Sequence, residues 1–234
     1  MRAVYKKELG QYFRSMIGYV YVTIFLFLSG YYFVVGNLLA GNGDIRNYFS
    51  SIITVVMFLL PMLTMRSFAE ERKMRTEQLL MASPVSSAGI VIGKYLAVLS
   101  VFAFGLLFTL LYVLILMLFG QFDIWVILGN YVGMFVAASA FIAIGMLLSV
   151  LTENQMVAGV ITYCTLLCLW LIGYAGTYLT SDFAKTLVSY LSLSNRFNEF
   201  AMGICSLSGM VYYSSIAGFF LFATTVLLEK RRMG

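Results

Sequence analysis

Histidine is absent from the sequence, and only 11% of its 234 residues are charged. Without histidine, the chain cannot form bis-histidine haem ligation, the usual zinc sites, or a nucleophile pair of the Ser/His or Cys/His type. Average soluble domains carry about 25% charged residues, so a soluble protein of this size could not cover its surface with so few. Disordered chains are poor in aromatic residues, whereas 16% of these residues are aromatic and 62% hydrophobic. The composition indicates an integral membrane protein.

Long uncharged stretches define the membrane spans. Six stretches contain no Asp, Glu, Lys or Arg: 15–43, 47–65, 95–122, 124–152, 154–181 and 200–228. A membrane helix needs about 20 apolar residues, so each stretch supports one span. We predict helices at 17–35, 51–66, 96–118, 126–151, 157–174 and 210–228. The second is the shortest and contains Pro61, which predicts a kink or a short helix there.

No charged residue falls in the middle of a predicted span. Proton- and ion-coupled carriers normally place an acidic residue inside the membrane. Arg66 and Lys94 fall at the ends of spans, where we expect their long side chains to extend to the membrane surface. The energy for any transport is therefore expected to come from elsewhere, and an ATP-independent carrier or an intramembrane enzyme is disfavoured.

The basic residues predict the orientation of the chain. Twelve of the 15 Lys and Arg residues lie in the N-terminal segment, the loop after span two and the C-terminal tail, which an even number of spans puts on one side. Basic loops face the cytoplasm, so both termini are predicted to be cytoplasmic.

Cysteines and small residues carry weaker signals. Cys164 and Cys168 are one helical turn apart in span five and Cys205 is alone, which fits neither a disulfide framework nor a metal site, and we expect buried thiols. Span four has stripes of small residues that allow close helix approach. Packing within the chain and a subunit interface are both open for these positions: Gly129, Gly133, Ala137, Gly145 and Ser149.

Residues 1–16 have the pattern of an amphipathic helix. One face carries apolar residues at helical spacing, namely Tyr5, Leu9, Tyr12, Phe13 and Met16. The other face carries Arg2, Lys6, Gly10 and Arg14. Such a helix lies in the plane of the membrane surface, and the alternative is a simple anchor ahead of span one.

The loop 67–84 is rich in charge and in helix formers, and it stops at Pro84. The i,i+4 pairs Glu71–Arg75 and Lys73–Glu77 would each stabilise an exposed helix by about 0.2–0.5 kcal/mol. Apolar side chains remain available on it for a soluble partner: Phe68, Met74, Leu79, Leu80 and Met81. A solvated loop whose charges only fix the topology is equally consistent with the sequence.

Residues 182–209 form the longest segment on the other side. A short apolar run, 186–193, precedes a polar string that contains Asn195, Arg196, Phe197 and Glu199. This pattern predicts a re-entrant or interfacial helical pair rather than a loose external loop.

The order of these segments resembles the ABC-2 type permease family over essentially the whole chain. The specific part is the string Glu70-Glu71-Arg72, Thr76-Glu77-Gln78-Leu79-Leu80, Ser83-Pro84-Val85 and Gly93-Lys94. The opening is similar to the gliding-motility-associated branch, with Lys7-Glu8-Leu9, Tyr12-Phe13, Gly18-Tyr19-Val20 and Ser29-Gly30.

The resemblance implies a single all-α membrane domain, 1–234, with six transmembrane helices and three special segments. These are an interface helix (1–16), a coupling helix in the loop 67–84 and an outer re-entrant segment (182–209). The coupling helix would dock on a separate ATP-binding subunit through Phe68, Glu70, Glu71, Arg72, Arg75, Thr76, Glu77, Leu79 and Leu80. The interface helix would use Tyr5, Lys6, Leu9, Tyr12 and Phe13.

The function implied is that of a non-catalytic permease subunit of an ATP-driven transporter, which we expect to be an exporter. No phosphate-binding loop of the G-x-x-x-x-G-K-[ST] type occurs, so ATP and Mg²⁺ are expected on the partner and no cofactor on this chain. Expected partners are the ATPase, a second permease in a homo- or heterodimer, the bilayer of a bacterial or archaeal cell membrane and an extracytoplasmic accessory protein, but not nucleic acid. The alternative is a transmitter that relays ATP-driven motion without moving substrate.

Overall fold

A computed structural model of the chain describes residues 1–41, 44–76, 85–119, 123–175, 192–204 and 206–233. These residues form helices and connecting turns, and no strand occurs among them. The predicted all-α class is therefore confirmed for the described part of the chain. The α-helices, numbered in chain order, are α1 (Arg2–Arg14), α2 (Met16–Phe33), α3 (Arg46–Thr64), α4 (Ala69–Lys73), α5 (Ser87–Phe108), α6 (Leu110–Phe119), α7 (Ile124–Leu151), α8 (Gln155–Ala175), α9 (Leu193–Ala201) and α10 (Leu207–Met233). A π-helical turn, Val34–Leu38, continues α2.

Six segments are long and apolar enough to cross a membrane, in agreement with the six predicted spans. They are Met16–Leu38, Arg46–Lys73, Ser87–Leu118, Ile124–Leu151, Gln155–Gly173 and Leu207–Arg232. The third begins at Ser87, well before the predicted start, because the Ser86 side chain accepts a hydrogen bond from the Gly89 amide and caps α5 there. The prediction that the second span is the shortest is wrong, because α3 begins at Arg46, five residues before the predicted start. Pro61 does not end this helix, which continues to Thr64.

α7 is the central helix of the bundle and packs against α3, α5, α8, α9 and α10. Its small residues allow this close packing. A Cβ atom on Gly145 would lie 2.3 Å from Oγ1 of Thr64 on α3, and one on Gly133 would lie 2.5 Å from the Phe200 side chain on α9. The small-residue stripes of span four are therefore used for packing within the chain.

The helix α8 exposes its two cysteines on the surface of the bundle. Cys164 and Cys168 are exposed on its surface, so the expectation of buried thiols is wrong for both, and Cys205 lies outside the described residues. α8 packs mainly against α7 and α3. The two cysteines lie one turn apart on the face that no other part of the described chain covers.

One end of the bundle carries α1, α4 and the last turn of α10, with Lys230 and Arg232, and we call it the basic end. Lys7 on α1 and Glu71 on α4 approach to 3.4 Å there. Arg232 at the end of α10 donates a hydrogen bond to the Val85 carbonyl just before α5, at 2.9 Å. The basic end thus brings together segments that are far apart in the sequence.

Candidate functional site

The helix α1 packs on the bundle through one face, which contains Val4, Glu8 and Tyr12. Its main neighbours are α5 and α2. Gly93 of α5 permits this approach, since a Cβ atom there would lie only 3.1 Å from the Val4 side chain. Close packing of α1 on α5 places the Glu8 carboxylate beside the next residue of α5, Lys94.

Lys94 is buried, with 1% of the residue exposed, so the prediction that its side chain extends to the membrane surface is wrong. Its ammonium nitrogen lies 2.9 Å from Glu8 Oε1 and 2.9 Å from Glu71 Oε2, and it donates a 2.7 Å hydrogen bond to the Ser67 carbonyl. Glu8 Oε1 and the Ser67 carbonyl accept hydrogen bonds from the ammonium group, whereas Glu71 Oε2 forms an ion pair with it and accepts no hydrogen bond. The ring of Phe68 covers the same nitrogen at 5.1 Å from its centroid. Lys94 therefore joins α1, α4 and α5 at one point.

The charges of this cluster balance only when Lys7 is counted with Lys94. Glu8 and Glu71 bring two negative charges to one buried ammonium group, and Lys7 adds a more exposed positive charge 3.4 Å from Glu71 Oε1. Removing charged groups from water is costly unless they are paired and hydrogen-bonded. The contacts around Lys94 satisfy that condition, and the loss of the lysine would leave two carboxylates facing each other.

Tyr12 extends the same contact between α1 and the bundle. Its hydroxyl donates a 2.9 Å hydrogen bond to the Leu63 carbonyl near the end of α3. Burial, and then the nearby Glu8 carboxylate, raise the pKa of Tyr12 far above its ordinary value. The hydroxyl consequently stays protonated and remains a donor at any physiological pH.

Arg66 connects the end of α3 to α4 and α1. Its guanidinium binds the Glu70 carboxylate through two hydrogen bonds, Nε to Oε2 at 2.6 Å and Nη2 to Oε1 at 2.5 Å. Nη1 reaches the hydroxyl of Ser15, at the C-terminal end of α1, at 3.3 Å. Paired bonds between a guanidinium and a carboxylate fix geometry as well as charge. Arg66 therefore fixes the orientation of α4 relative to α3 through its contacts with Glu70 and Ser15.

Ser149 of the central helix α7 caps the start of α4. Its hydroxyl oxygen accepts hydrogen bonds from the Phe68 and Ala69 amides, each at 3.1 Å, and the hydroxyl lies 3.2 Å from the Met65 carbonyl, to which it donates. The first amides of a helix have no partner within the helix, and a serine hydroxyl is a preferred acceptor for them. Here the cap comes from a residue 81 positions away from Phe68 in the sequence. α4 is thus bonded to the helix that runs through the middle of the bundle.

A second contact joins α4 to the turn between α7 and α8. Nη2 of Arg72 lies 2.7 Å from Oε1 of Glu153. Glu153 is mostly exposed, so this pair contributes little to stability by itself. Together with Lys94, Arg66 and Ser149, it connects one five-residue helix to α1, α3, α5 and α7.

The predicted coupling helix is shorter than expected in the described residues. α4 ends at Lys73, and Arg75 follows it with a positive φ of 56°, a left-handed conformation that does not continue a helix. The predicted Glu71–Arg75 pair is replaced by the contacts of Glu71 with Lys94 and Lys7. Glu77, Leu79 and Leu80 lie outside the described residues, as does the Lys73–Glu77 pair.

The remaining residues predicted in this loop divide into two groups. Phe68 is only 5% exposed and faces Lys94, so the prediction that it is available to a partner is wrong. Met74 is 69% exposed, and Arg75 and Thr76 are also exposed. Glu70, Glu71 and Arg72 all form ion pairs within the chain. The surface that α4 leaves open is therefore its C-terminal tip.

The residues predicted on the interface helix contact the bundle in different ways. The Tyr5 hydroxyl lies 3.0 Å from Ser100 Oγ, and the Phe13 ring meets the ring of Phe104 edge to face. Leu9 is partly buried against the core, and Lys6 is exposed. Met16 does not belong to this face, because it begins α2 and is 83% exposed.

Sequence reasoning missed Glu8 and Ser149. Glu8 lies one turn from Val4 and from Tyr12, and is therefore a carboxylate in the middle of an apolar helix face. Charged residues are almost never buried unless they are paired. The position of Glu8 on an apolar face therefore indicated a buried partner, and Lys94 at the start of a span was a candidate for it. Ser149 was noted only as a small residue, since nothing in its own neighbourhood of the sequence indicates that it caps another helix.

A cleft lies between α1 and the α4 segment at the basic end. Its volume is about 850 Å³. Lys6, Gly10 and Arg14 line it from α1, and Arg66, Glu70 and Met74 line it from the other side. Charged side chains from both sides line this cleft, and more of them are basic than acidic.

At the opposite end, α9 packs against α7, α8 and α10. Ser192 caps it by accepting a hydrogen bond from the Asn195 amide. Phe197 is buried near Trp170. Of the predicted segment 182–209, the stretch 182–191 and Cys205 lie outside the described residues, so the second helix of the predicted pair is not tested.

Two further residues predicted in that segment form a polar contact. Arg196 Nη1 lies 3.5 Å from Glu199 Oε1, and the Arg196 guanidinium lies 6.0 Å from the centroid of the Tyr212 ring. Glu199 also accepts a 2.6 Å hydrogen bond from the Ser206 hydroxyl. These contacts fasten the C-terminal half of α9 to the start of α10.

A comparison with protein families finds a match over most of the chain. The family model described as "ABC-2 family transporter protein" matches residues 11–226. No curated protein matches the sequence. The match covers the first five spans, the whole of α4 and α9, and the sixth span as far as residue 226.

Proposed function

Because the chain belongs to the ABC-2 transporter family, we propose that it is a permease subunit coupled to a separate ATP-binding subunit. Membership implies a membrane component of a transporter and an ATP-binding partner. The observation that supports coupling through α4 is the set of bonds around that helix. Lys94, Arg66, Ser149 and Arg72 connect it to four other helices, so a force applied to α4 would reach the bundle directly.

The proposed docking surface is the exposed tip that follows α4. Met74 and Arg75 are exposed there and form no ion pair within the described residues, whereas Glu70, Glu71 and Arg72 are occupied by intramolecular pairs. An exposed apolar side chain beside a charged one suits a contact with a soluble protein. Thr76, Glu77, Leu79 and Leu80 continue the proposed surface along the chain.

Co-purification with the ATP-binding chain tests this surface. We expect M74D/R75E to reduce recovery of the ATP-binding chain at least tenfold, because the variant places negative charge at the centre of the contact while removing no contact that holds α4 in place. M202D is the matched control, since Met202 is also exposed but lies beside α9 at the opposite end. Equal recovery with M74D/R75E and with the unmodified chain would exclude this surface as the docking site.

We further propose that the chain lies in a bacterial or archaeal cell membrane with its basic end in the cytoplasm. The excess of Lys and Arg at this end supports that orientation. ATP and Mg²⁺ are proposed to bind the partner and no cofactor to bind this chain. The strings Gly18-Tyr19-Val20 and Ser29-Gly30 also support a place in the gliding-motility-associated branch.

The proposed assembly contains two permease chains, either two copies or this chain and a related one. The exposed face of α8 supports such a contact, because Val160, Cys164 and Cys168 follow one another at intervals of four residues on one side of the helix. The direction of transport is proposed to be export, which is the direction expected from the family resemblance.

One observation favours the alternative of a mechanical transmitter. The central helix α7 contacts α4 through Ser149 at one end and α9 through Gly133 and Phe200 at the other. A rigid helix joined at both ends can carry motion from the basic end to α9, where an extracytoplasmic accessory protein would bind. The two roles are separated with vesicles that contain only this chain and the ATP-binding chain: ATP-dependent movement of a solute supports transport, whereas ATP hydrolysis with none supports the transmitter.

A further inference from the structure

The cleft between α1 and α4 has more positive than negative charge on its walls. Five basic side chains and three carboxylates line it. Arg66 binds the Glu70 carboxylate, and Lys94 lies 2.9 Å from both Glu8 and Glu71. All three carboxylates are thus already paired with cations of the wall. The wall therefore carries two more positive charges than negative ones, and an anionic ligand could balance them.

Lys6 and Arg14 carry this excess. Both are exposed, both line the cleft, and neither has a carboxylate within 4 Å in the part of the chain that the structure describes. They lie eight residues apart on α1, which puts them on one face and about 12 Å apart along the helix axis. Gly10 lies midway between them on the same face, and a Cβ atom on it would meet no other atom within 4 Å. The two cations therefore flank an open gap rather than a packed surface.

The position of the cleft relative to the membrane follows from where the first span begins. Ser15 has an extended backbone that separates α1 from α2, and the first membrane span begins at the next residue, Met16. A cleft that ends at Arg14 and Ser15 therefore lies at the level of the lipid headgroups. Met16 and Tyr19, at the start of α2, are 83% and 60% exposed. They leave an apolar surface at the start of the first span, directly after Ser15, which lines the cleft.

We propose that this cleft binds a phosphate group, with Lys6 and Arg14 as its cationic contacts and the headgroup of an anionic phospholipid as its source. Arginine and lysine are the side chains that bind phosphate oxygens through charge-assisted hydrogen bonds. The exposed Met16 and Tyr19 would contact the acyl chains of the same lipid. Met74 lines the cleft and also belongs to the proposed docking surface, but the proposed lipid contacts are residues of α1 and α2. Lipid binding to this chain alone therefore tests the site separately from coupling to an ATPase.

Native mass spectrometry of the full chain in a neutral detergent tests the proposal. The added ligands are phosphatidylglycerol, phosphatidylcholine and inorganic phosphate, each in a separate titration. We expect one phosphatidylglycerol to bind in preference to phosphatidylcholine, and K6Q/R14Q to weaken that binding roughly thirtyfold, since each cation near an anionic headgroup contributes on the order of 1 kcal/mol. G10L should block the site by filling the gap while keeping both charges.

The matched control is R2Q/K73Q, which removes the same two charges from exposed positions of α1 and α4 that do not line the cleft. It should bind phosphatidylglycerol within about threefold of the unmodified chain. G218L controls for the bulk of G10L, because a Cβ atom on Gly218 of α10 also meets no atom within 4 Å. Inorganic phosphate binding that K6Q/R14Q removes, without phosphatidylglycerol binding, would support the phosphate site and assign it to a soluble anion. Equal losses in K6Q/R14Q and R2Q/K73Q, or no binding of either anion, would overturn the proposal.

Discussion

The ammonium nitrogen of Lys94 lies 2.9 Å from Oε1 of Glu8, a residue 86 positions earlier in the sequence. Both side chains are buried, and Glu71 approaches the same nitrogen at 2.9 Å from α4. The helices α1 and α4 are therefore joined through a single lysine near the start of α5. A displacement of either helix must change the surroundings of this charge.

Removing that charge should destabilise the chain strongly. In K94M, the carboxylates of Glu8 and Glu71 face each other without a cation between them, and breaking a buried pair in this way costs about 3–5 kcal/mol. We expect a lower free energy of unfolding in detergent, measured by denaturant titration followed by circular dichroism.

Two variants separate the buried charge from other effects of the substitution. K73M removes an exposed lysine of α4 and should change the free energy of unfolding by less than about 0.5 kcal/mol. E8Q/E71Q/K94M removes both carboxylates as well and should regain part of the loss. If K94M were no less stable than K73M, the ion cluster would not hold α1 and α4 together.

The cap of α4 by Ser149 makes a second prediction. S149A leaves the Phe68 and Ala69 amides without their acceptor, and an unsatisfied buried donor costs about 1–3 kcal/mol. The amides of Phe68 and Ala69 should also exchange hydrogen faster, which hydrogen–deuterium exchange followed by mass spectrometry measures. S215A is the control, because the Ser215 hydroxyl is exposed and donates to the Tyr212 carbonyl of its own helix. Equal exchange at α4 in both variants would contradict the assigned cap.

The pair between Arg72 and Glu153 can be tested by exchanging its charges. R72E places two carboxylates side by side, and R72E/E153R restores an ion pair in the reverse sense. Since Glu153 is 71% exposed, stability should change little, and the readout is ATP hydrolysis by the complex with the ATP-binding chain. If the pair transmits motion from α4, R72E should lower that hydrolysis severalfold and the double variant should recover most of it.

The control for the charge exchange is R46E, which breaks an exposed pair with Asp44 at the opposite end of the bundle. Its ATP hydrolysis should stay within about twofold of the unmodified complex. A double variant no more active than R72E would argue that the pair has no part in coupling.

The number of membrane spans could be predicted from the sequence because each span contains a long, continuous stretch of uncharged residues. Each span is a run of uncharged residues, and a run of that length has few other structural solutions. The start of the third span was missed, because the first residues of α5 include Gly93 and the charged Lys94. A lysine at that position predicts an exposed span end, and its burial depends on Glu8 and Glu71 arriving from two other helices.

The candidate site could be predicted only in part for the same reason. The string Glu70-Glu71-Arg72 marked the correct segment, but its partners are Arg66, Lys94 and Glu153. Lys94 belongs to α5, and Glu153 to the turn between α7 and α8. Helical spacing predicted the pair Glu71–Arg75, which would have been worth a few tenths of a kcal/mol. The buried lysine offers Glu71 a stronger contact. Local spacing could not predict that result without the packing of α1 and α5.

The exposed cysteines of α8 test the proposed contact between two permease chains. If α8 faces a second copy, mild copper-catalysed oxidation in membranes should yield a disulfide-linked dimer, since Cys164 and Cys168 lie on the exposed face. C164S/C168S should abolish the cross-link, whereas C205S should keep it. A cross-link that persists in C164S/C168S, or none under conditions where the chain purifies as a dimer, would place the contact elsewhere.

The junction between α1 and α2 depends on the absence of a side chain at Gly18. A Cβ atom there would lie 2.3 Å from the carbonyl oxygen of Tyr12 and 2.9 Å from its carbonyl carbon, which are backbone atoms that cannot rotate away. G18A should therefore push α1 off α2, lengthen the bond from the Tyr12 hydroxyl to Leu63 and lower the free energy of unfolding by about 1–3 kcal/mol. G10A is the matched control on α1, since its Cβ atom meets nothing and alanine favours a helix over glycine by roughly 0.5–1 kcal/mol. G18A should consequently unfold at lower denaturant concentration than the unmodified chain and G10A at equal or higher concentration, and the reverse order would show that α1 does not pack on α2 through this glycine.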